Sequence, residues 1–396
     1  MVLDKSLAKI PRELKFVLNC SKYSQTEKET ISTFLSPNMD WDYILRLAMD
    51  HGIFPLVYNT LHSLDSPIIP EYVINSLRQS SIKNAMKVVG MSDEIIRILK
   101  SMNEYGIQVL ILKGSPLSIK INEDIAFRPS NDIDILVDPL EFASAEKILM
   151  QMGYSRVYPD FSLTQRQQKA YFERCNHFEY SHLTRNILVE LHWRIRFYNV
   201  KYFPSLSKLS TQKIDIAGYL VPVMDNEYWL IFLMVHGHKH MWSRLRWLYD
   251  IKEFMKMNIN WDKLLVQADI SGLRPIINQT LILANELLDV PIPDCMVQSV
   301  ANDQKAWQLA LIAIEKLFIN VNELSLDDPQ FSPLKKNIFD DLDYYNLPWK
   351  SKLFLIFALF KPCEVEFKLI SLQDNLYPLY YLIRPLYWLR RALIRG

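Results

Sequence analysis

Apolar residues recur at helical spacing through the first hundred positions of the chain. From Trp41 to Leu61 they fall three and four residues apart, with an interruption near Gly52 and Pro55. A second amphipathic pattern follows and stops near Gly106. These patterns predict a helical N-terminal subdomain.

Three short strands are predicted in the next part of the chain. Residues 108–112 and 132–137 are rich in aliphatic and β-branched residues, as expected of buried strands. Residues 187–192 alternate between polar and apolar positions, which places Glu190 and His192 on one face. The pattern indicates one small sheet.

Helix-start signals follow the first two strands. Ser115 can act as an N-cap with Pro116 at the first helical position. Asp138 is a second predicted N-cap, and Glu141 at the third helical position completes a capping-box pattern. We expect the helix that begins at Asp138 to end near Met152.

Helical spacing dominates again from Asp225 onward, with several prolines between the segments. The predicted fold is therefore α+β, with a small mixed β-sheet core embedded between helical N- and C-terminal regions. The predicted domains are residues 1–105, 106–224 and 225–396.

Composition narrows the function classes. The 396 residues are 49% hydrophobic and 22% charged, as in ordinary globular proteins. Lys and Arg number 45 against 44 Asp and Glu, so the net charge of +1 provides no broad positive field for nucleic acid. This balance disfavours a polymerase and favours a small-molecule or protein substrate.

The cysteine pattern and the hydropathy predict a cytoplasmic protein. The four cysteines stand singly, without CxxC or Cys/His ligand spacing, so neither a zinc ribbon nor a disulfide scaffold is indicated. The N-terminus lacks a signal-peptide core, and the apolar runs are too short for a transmembrane segment.

Two aspartates on the second predicted strand are the clearest chemical signal. Asp132 and Asp134 project to one face, and such paired carboxylates repel each other unless a cation lies between them. An Asp-x-Asp pair also occurs on solvated strand edges, but the apolar residues 135–137 indicate a buried strand. Upstream, Gly114 and Ser115 form a strand-to-helix turn whose N–H groups can bind phosphate.

These motifs resemble a nucleotidyltransferase family within the DNA polymerase β-like superfamily. The family is a poorly characterised bacterial one, and its motifs read LKGS at 112–115, RPSNDID at 128–134 and ELHW at 190–193. The segments 41–61 and 236–250 are similar to its flanking helical motifs. One departure is that Gly114 and Asp132 lie 18 positions apart, which is longer than is usual in the superfamily.

The resemblance implies a metal-dependent active site. Asp132, Asp134 and Glu190 would be the catalytic carboxylates and the metal ligands. The implied metal is Mg²⁺, with Mn²⁺ as the alternative. Glu190 would share the metal on the nucleophile side and help to deprotonate the acceptor.

The resemblance also implies nucleotide-binding residues. Gly114 and Ser115 would bind the β- and γ-phosphates of an NTP, and Lys113 or Arg128 would stabilise the leaving pyrophosphate. The alternatives are that Lys113 extends into water and that Arg128 is a structural partner of Asp132 or Asp134.

A basic segment after residue 235 is predicted to line the cleft opposite the sheet. Its histidines at 236, 238 and 240 lack the glutamate of a metalloprotease motif, so zinc is disfavoured. The alternative is a helix that docks through Trp242, Leu245 and Leu248 with its basic residues solvated. The cleft residues expected from the sequence are His192, His236, Lys239, His240 and Arg244.

The expected function is NTP-dependent transfer of a nucleoside monophosphate to a hydroxyl or similar acceptor on a small molecule or a protein or peptide. The alternatives are a toxin-like enzyme acting on tRNA and a non-catalytic nucleotide-binding regulator or scaffold. The C-terminal helix, with arginines at 384, 391 and 395, is either a final packed helix or a peripheral membrane contact. Its prolines favour packing.

Overall fold

The computed structural model describes residues 10–23, 27–195, 203–319 and 361–395, and the side chains among these except those of 319 and 388–395. Residues 1–9 of the predicted N-terminal region lie outside this part of the chain. Among the described residues, five helices precede the first strand: α1 (Arg12–Lys22), α2 (Lys28–Ser32), α3 (Trp41–Asp50), α4 (Phe54–Leu64) and α5 (Glu71–Glu104).

The helices α3 and α4 confirm the pattern predicted from Trp41 to Leu61. Asp40 starts α3 because its side chain accepts a hydrogen bond from Tyr43 N at 2.8 Å. The break lies at Gly52, which has φ +65°. Pro55 then occupies the start of α4, where it costs no hydrogen bond.

A five-stranded mixed sheet forms the centre of the chain. Its order is β1-β2-β5-β4-β3, and only the β2–β5 pair is parallel. The strands are β1 (Val109–Ile111), β2 (Asp132–Val137), β3 (Tyr154–Tyr158), β4 (His177–His182) and β5 (Ile187–His192). A separate hairpin consists of β6 (Thr211–Ile216) and β7 (Tyr219–Met224).

Three helices connect the strands of this sheet: α6 (Ser115–Asn122), α7 (Phe142–Gln151) and α8 (Gln165–Arg174). The prediction that a helix begins at Asp138 was wrong. Asp138 instead accepts a hydrogen bond from Leu140 N at 2.9 Å, which closes a turn, and α7 begins at Phe142. The capping-box residues therefore stabilise the turn that precedes the helix.

Helices return after the hairpin, as the sequence predicted. In the part of this region that the structure describes, they are α9 (Asn226–Lys239), α10 (Leu245–Phe254), α11 (Trp261–Ser271), α12 (Arg274–Leu288), α13 (Val297–Asn302), α14 (Gln304–Ile319), α15 (Glu364–Leu369) and α16 (Tyr380–Arg395). One continuous apolar core includes Leu14 of α1, Ile135 of β2 and Leu281 of α12. The fold is α+β, as predicted.

Candidate active site

Three acidic side chains lie on one face of the five-stranded sheet. Asp134 of β2 is paired directly with Glu190 of the parallel strand β5. Because alternate residues of a strand share a face, Asp132 projects to the same side. Asp134 is 3% exposed, whereas Asp132 and Glu190 are each 21% exposed. Carboxylate oxygens in this arrangement are suitable ligands for Mg²⁺.

Lys113 lies between the two aspartates. Its Nζ atom is 2.9 Å from Asp132 Oδ1 and 2.9 Å from Asp134 Oδ2. Burial alone would lower the pKa of Lys113, but the carboxylates of Asp132, Asp134 and Glu190 raise it above its ordinary value. The aspartate pair thus binds a positive charge, which is the property that a divalent-cation site requires.

Two histidines lie beside Glu190, and one of them is hydrogen-bonded to it. His192 Nε2 lies 3.1 Å from Glu190 Oε2 and 3.4 Å from Asp134 Oδ1. His177 Nε2 of β4 lies 4.0 Å from the same Glu190 oxygen. Burial opposes both charges, but the contacts with His192, His177 and Lys113 lower the pKa of Glu190, and contacts with Asp134 and Glu190 raise that of His192.

The turn between β1 and α6 has the geometry of a phosphate-binding helix start. Gly114 adopts φ +86° and ψ −137°, a conformation essentially restricted to glycine. Gly114 is the N-cap and Ser115 is the first helical residue, so the helix begins one position earlier than predicted. No side chain caps this end, so its first N–H groups can bind an anion. The Ser115 hydroxyl lies 2.7 Å from Ser92 Oγ in α5.

The segment between α6 and β2 accounts for the long spacing from Gly114 to Asp132. Asn84 of α5 donates to Ala126 O at 2.8 Å, and Lys87 donates to Asn131 Oδ1 at 2.7 Å. Arg246 of α10 donates to Pro129 O at 2.7 Å. The extra residues are thus held by α5 and α10 beside the site.

Arg128 is bound to a residue far away in the chain. Its Nε atom is 3.0 Å from both carboxylate oxygens of Asp250, and both side chains are buried. The alternative that Arg128 pairs with Asp132 or Asp134 was wrong, because Lys113 occupies that position. Contact of Arg128 with a nucleotide stays a prediction.

The segment from α9 to α10 packs against the strand that carries the turn. Trp229 Nε1 of α9 donates to Leu112 O at 2.8 Å. At the other end of α9, the rings of His236 and His240 lie 4.7 Å apart, and both contact Trp247. Burial, followed by the charges of neighbours that include Lys113 and Lys239, lowers the pKa of His236 well below its ordinary value. A place for His236 in the cleft stays a prediction.

The charge of Arg244 interacts with that of Asp132. Burial lowers its pKa, and the charges of Asp50 and Asp132 oppose that shift. His238 points elsewhere, since its Nδ1 atom is 2.6 Å from Gln279 Oε1 in α12. The three histidines at 236, 238 and 240 therefore do not converge on one metal. The docking residues Trp242, Leu245 and Leu248 are fully buried.

The C-terminal helix α16 is packed against the protein at Arg384. Of the three arginines named from the sequence, this is the one whose side chain the structure describes. Arg384 is 3% exposed and lies 2.6 Å from Glu366 Oε2, so it does not face a membrane. The side chains of Arg391 and Arg395 lie outside the described residues. Within the described ranges, no helix combines the length and apolarity needed to cross a bilayer.

Sequence reasoning missed His177 and Glu179, which β4 adds to the same face. His177 is paired with His192 and Glu179 with Glu190 across β4 and β5. The available signal was the alternation of polar and aromatic residues from His177 to Tyr180, which has the period of a strand. His177, Glu190 and His192 have ligand atoms that all lie within 4.8 Å of one another.

Comparison with known proteins agrees with this geometry. A family model described as "Uncharacterised nucleotidyltransferase" matches residues 37–289, which include the sheet, the turn and helices α9 and α10. No curated protein and no solved structure shows significant similarity to the chain.

Proposed function

Because the chain belongs to the family of uncharacterised nucleotidyltransferases, we propose that it transfers a nucleoside monophosphate from an NTP to a hydroxyl or similar acceptor. The acceptor oxygen attacks the α-phosphorus, the bond to the bridging oxygen of the β-phosphate breaks, and pyrophosphate leaves. The acceptor proton passes toward Glu190.

The observation that carries this proposal is the pairing of Asp134 with Glu190 beside Lys113 and the Gly114 turn. Asp132, Asp134 and Glu190 would hold divalent ions, with Mg²⁺ expected at the aspartate pair. When bound, such ions neutralise charge on the attacking and leaving oxygens of an in-line displacement.

The nucleotide would lie across the start of α6. The main-chain N–H groups after Gly114 would bind its phosphates, since the Ser115 side chain already contacts Ser92. Lys113 contacts both aspartates, and the charge of Arg244 interacts with that of Asp132. These two cations would stabilise the charge that develops on pyrophosphate.

A small molecule or a protein or peptide is the acceptor class we propose. The net charge of +1 does not provide the broad positive surface that binding to nucleic acid usually requires. Transfer to tRNA is the outcome that would reverse this choice. We also expect the protein to act in the cytoplasm.

The test is a transfer assay with the full chain, each of the four NTPs labelled at the α-phosphate, Mg²⁺ or Mn²⁺, and cell extract as the source of acceptors. We expect label in a small-molecule or protein fraction together with released pyrophosphate. Asp132→Ala and Asp134→Ala should each reduce transfer at least about a hundredfold.

Asp138→Ala is the matched control, because Asp138 lies just beyond the same strand and closes a turn through Leu140. The Asp138→Ala variant should retain transfer activity. Transfer that survives an Asp132→Ala/Asp134→Ala double substitution would remove the aspartates from the mechanism. NTP binding without turnover under every condition would instead favour a nucleotide-binding regulator or scaffold.

A further inference from the structure

Two histidines and a glutamate from neighbouring strands form a ligand set distinct from the aspartate pair. His192 Nε2 is 3.1 Å from Glu190 Oε2, and His177 Nε2 is 4.0 Å from it. The two imidazole rings are 4.7 Å apart, and antiparallel pairing of β4 with β5 holds their backbones opposite each other. These three side chains form the histidine site.

We propose that His177, Glu190 and His192 bind a transition-metal ion of the Co²⁺ or Zn²⁺ class in preference to Mg²⁺. Imidazole nitrogen is a good ligand for these ions, whereas Mg²⁺ prefers an all-oxygen shell. Tetrahedral Zn²⁺ with bonds of about 2.0–2.1 Å separates its ligand atoms by roughly 3.3 Å. Ligand spacings of 3.1 and 4.0 Å therefore need only small side-chain shifts to fit such an ion.

Asp134 belongs to the aspartate pair and also lies beside the histidine site. Its Oδ1 atom lies 3.4 Å from His192 Nε2, and its Oδ2 atom lies 2.9 Å from Lys113 Nζ. The Asp134 carboxylate thus lies between two candidate metal positions. The aspartate pair offers only oxygen ligands, whereas the histidine site offers mainly nitrogen ligands. The two positions should differ in the metals that they select.

Asn176 can orient His192 for metal binding. Its side-chain nitrogen Nδ2 lies 3.1 Å from His192 Nδ1, and its main-chain oxygen accepts a hydrogen bond from Trp193 N at 3.1 Å. A flip of the amide exchanges its nitrogen and oxygen, so that the oxygen accepts from a protonated Nδ1 and the lone pair of Nε2 is free for a metal. A residue that fixes the tautomer of a histidine ligand in this way typically increases metal affinity.

Packing alone does not account for His177. Its Nδ1 atom is buried and has no hydrogen-bond partner within the described part of the chain, while Nε2 faces Glu190 and Glu179. A histidine retained only for structure usually has both nitrogens satisfied. The orientation of Nε2 toward two carboxylates fits a ligand.

Metal binding can be measured without nucleotide, on the full-length protein after treatment with a chelator. Co²⁺ is titrated with visible absorption as the readout, and Zn²⁺ and Mg²⁺ are titrated by calorimetry. We expect one Co²⁺ to bind with the absorption of a nitrogen-containing site. Mg²⁺ should not displace it at equal concentration.

His177→Gln and His192→Gln should each weaken Co²⁺ binding at least tenfold, and Asn176→Ala about tenfold. His182→Gln is the matched control, since His182 is on the same strand but five positions from His177 and hence on the opposite face. It should bind Co²⁺ like the natural protein. Circular dichroism and the thermal midpoint without metal show whether each variant is folded. For a variant that does not fold, Glu190→Gln provides the same test.

Unchanged Co²⁺ affinity in folded His177→Gln and His192→Gln proteins would overturn the histidine site. Equal preference for Mg²⁺ would do the same. A role of the histidine site in nucleotidyl transfer rests on the proposed function. The affinity of the histidine site for metal does not depend on that function. Histidine-dependent Co²⁺ binding without any transfer would reject the proposed function alone, and Mg²⁺-supported transfer without such binding would reject the histidine site alone.

Discussion

Asp134 and Lys113 form a largely buried ion pair in which the lysine Nζ lies 2.9 Å from the carboxylate, although Asp134 lies within β2 and Lys113 follows β1. The main chain supports this contact, because Leu112 N donates to Asp134 O at 3.0 Å. The second oxygen of Asp134 faces His192. Asp134 therefore contacts both Lys113 and His192 at the centre of the sheet.

Replacing Lys113 with methionine should destabilise the metal-free protein and increase its response to Mg²⁺. Lys113 compensates two adjacent carboxylates, and removal of one partner from a buried ion pair typically costs about 3–5 kcal/mol. An added divalent cation can replace the missing charge. We expect a lower thermal midpoint without metal and a larger Mg²⁺-induced rise than in the natural protein.

Lys87→Met is the control for this prediction, because Lys87 donates to Asn131 Oδ1 beside the site. Its response to Mg²⁺ should resemble that of the natural protein. If Mg²⁺ raised the thermal midpoint of Lys113→Met no more than that of the natural protein, the aspartate pair would not be the metal position.

Some of the site was predictable because its signals are local. The bounds of β2 and β5 agree with the predicted strands, since aliphatic runs and strict alternation are encoded in neighbouring residues. Strand β4 was missed because its polar residues weaken the strand signal of Phe178 and Tyr180, and pairing with β5 determines its conformation. Asp250 lies 122 positions from Arg128, and no local pattern links the two.

The pair formed by Arg128 and Asp250 should be essential for stability. Both side chains are at most 4% exposed, so Asp250→Ala leaves an uncompensated buried guanidinium. We expect a loss of about 3–5 kcal/mol in the free energy of unfolding. The double substitution Arg128→Met/Asp250→Leu should lose less than Asp250→Ala, because no buried charge then remains unpaired. A double-mutant cycle by urea unfolding measures the coupling, and strictly additive losses would contradict it.

Gly237 should not tolerate alanine, although it lies inside helix α9 where alanine is normally favourable. A Cβ atom at this position would overlap the ring of Trp242, which is fully buried. We expect Gly237→Ala to cost about 1–3 kcal/mol in the free energy of unfolding. Gly90→Ala in α5 is the matched control, because a Cβ there meets nothing within 4 Å. It should stabilise the protein by about 0.4–1 kcal/mol. Equal effects of the two substitutions in urea unfolding would refute the steric explanation.

His51 should make the protein less stable in acid. Its Nδ1 atom accepts a hydrogen bond from Leu245 N at 3.4 Å, and burial, aided by the charge of Arg244, lowers its pKa to about 4. In the unfolded chain the pKa of histidine is about 6.5. As the pH falls from 6.5 to 4, the unfolded state binds the proton first, so stability that is present above pH 6.5 is lost.

The size of this effect follows from the difference between the two pKa values, and it amounts to about 3 kcal/mol between pH 7 and pH 4. His51→Gln removes the titrating group. The free energy of unfolding of this variant should therefore fall less over that range than that of the natural protein. Urea unfolding at several pH values tests this, and parallel pH profiles would show that His51 is not the group responsible. A flatter profile for the variant would identify the contact between α3 and α10 as acid-sensitive, because His51 O also accepts a hydrogen bond from Arg246 N.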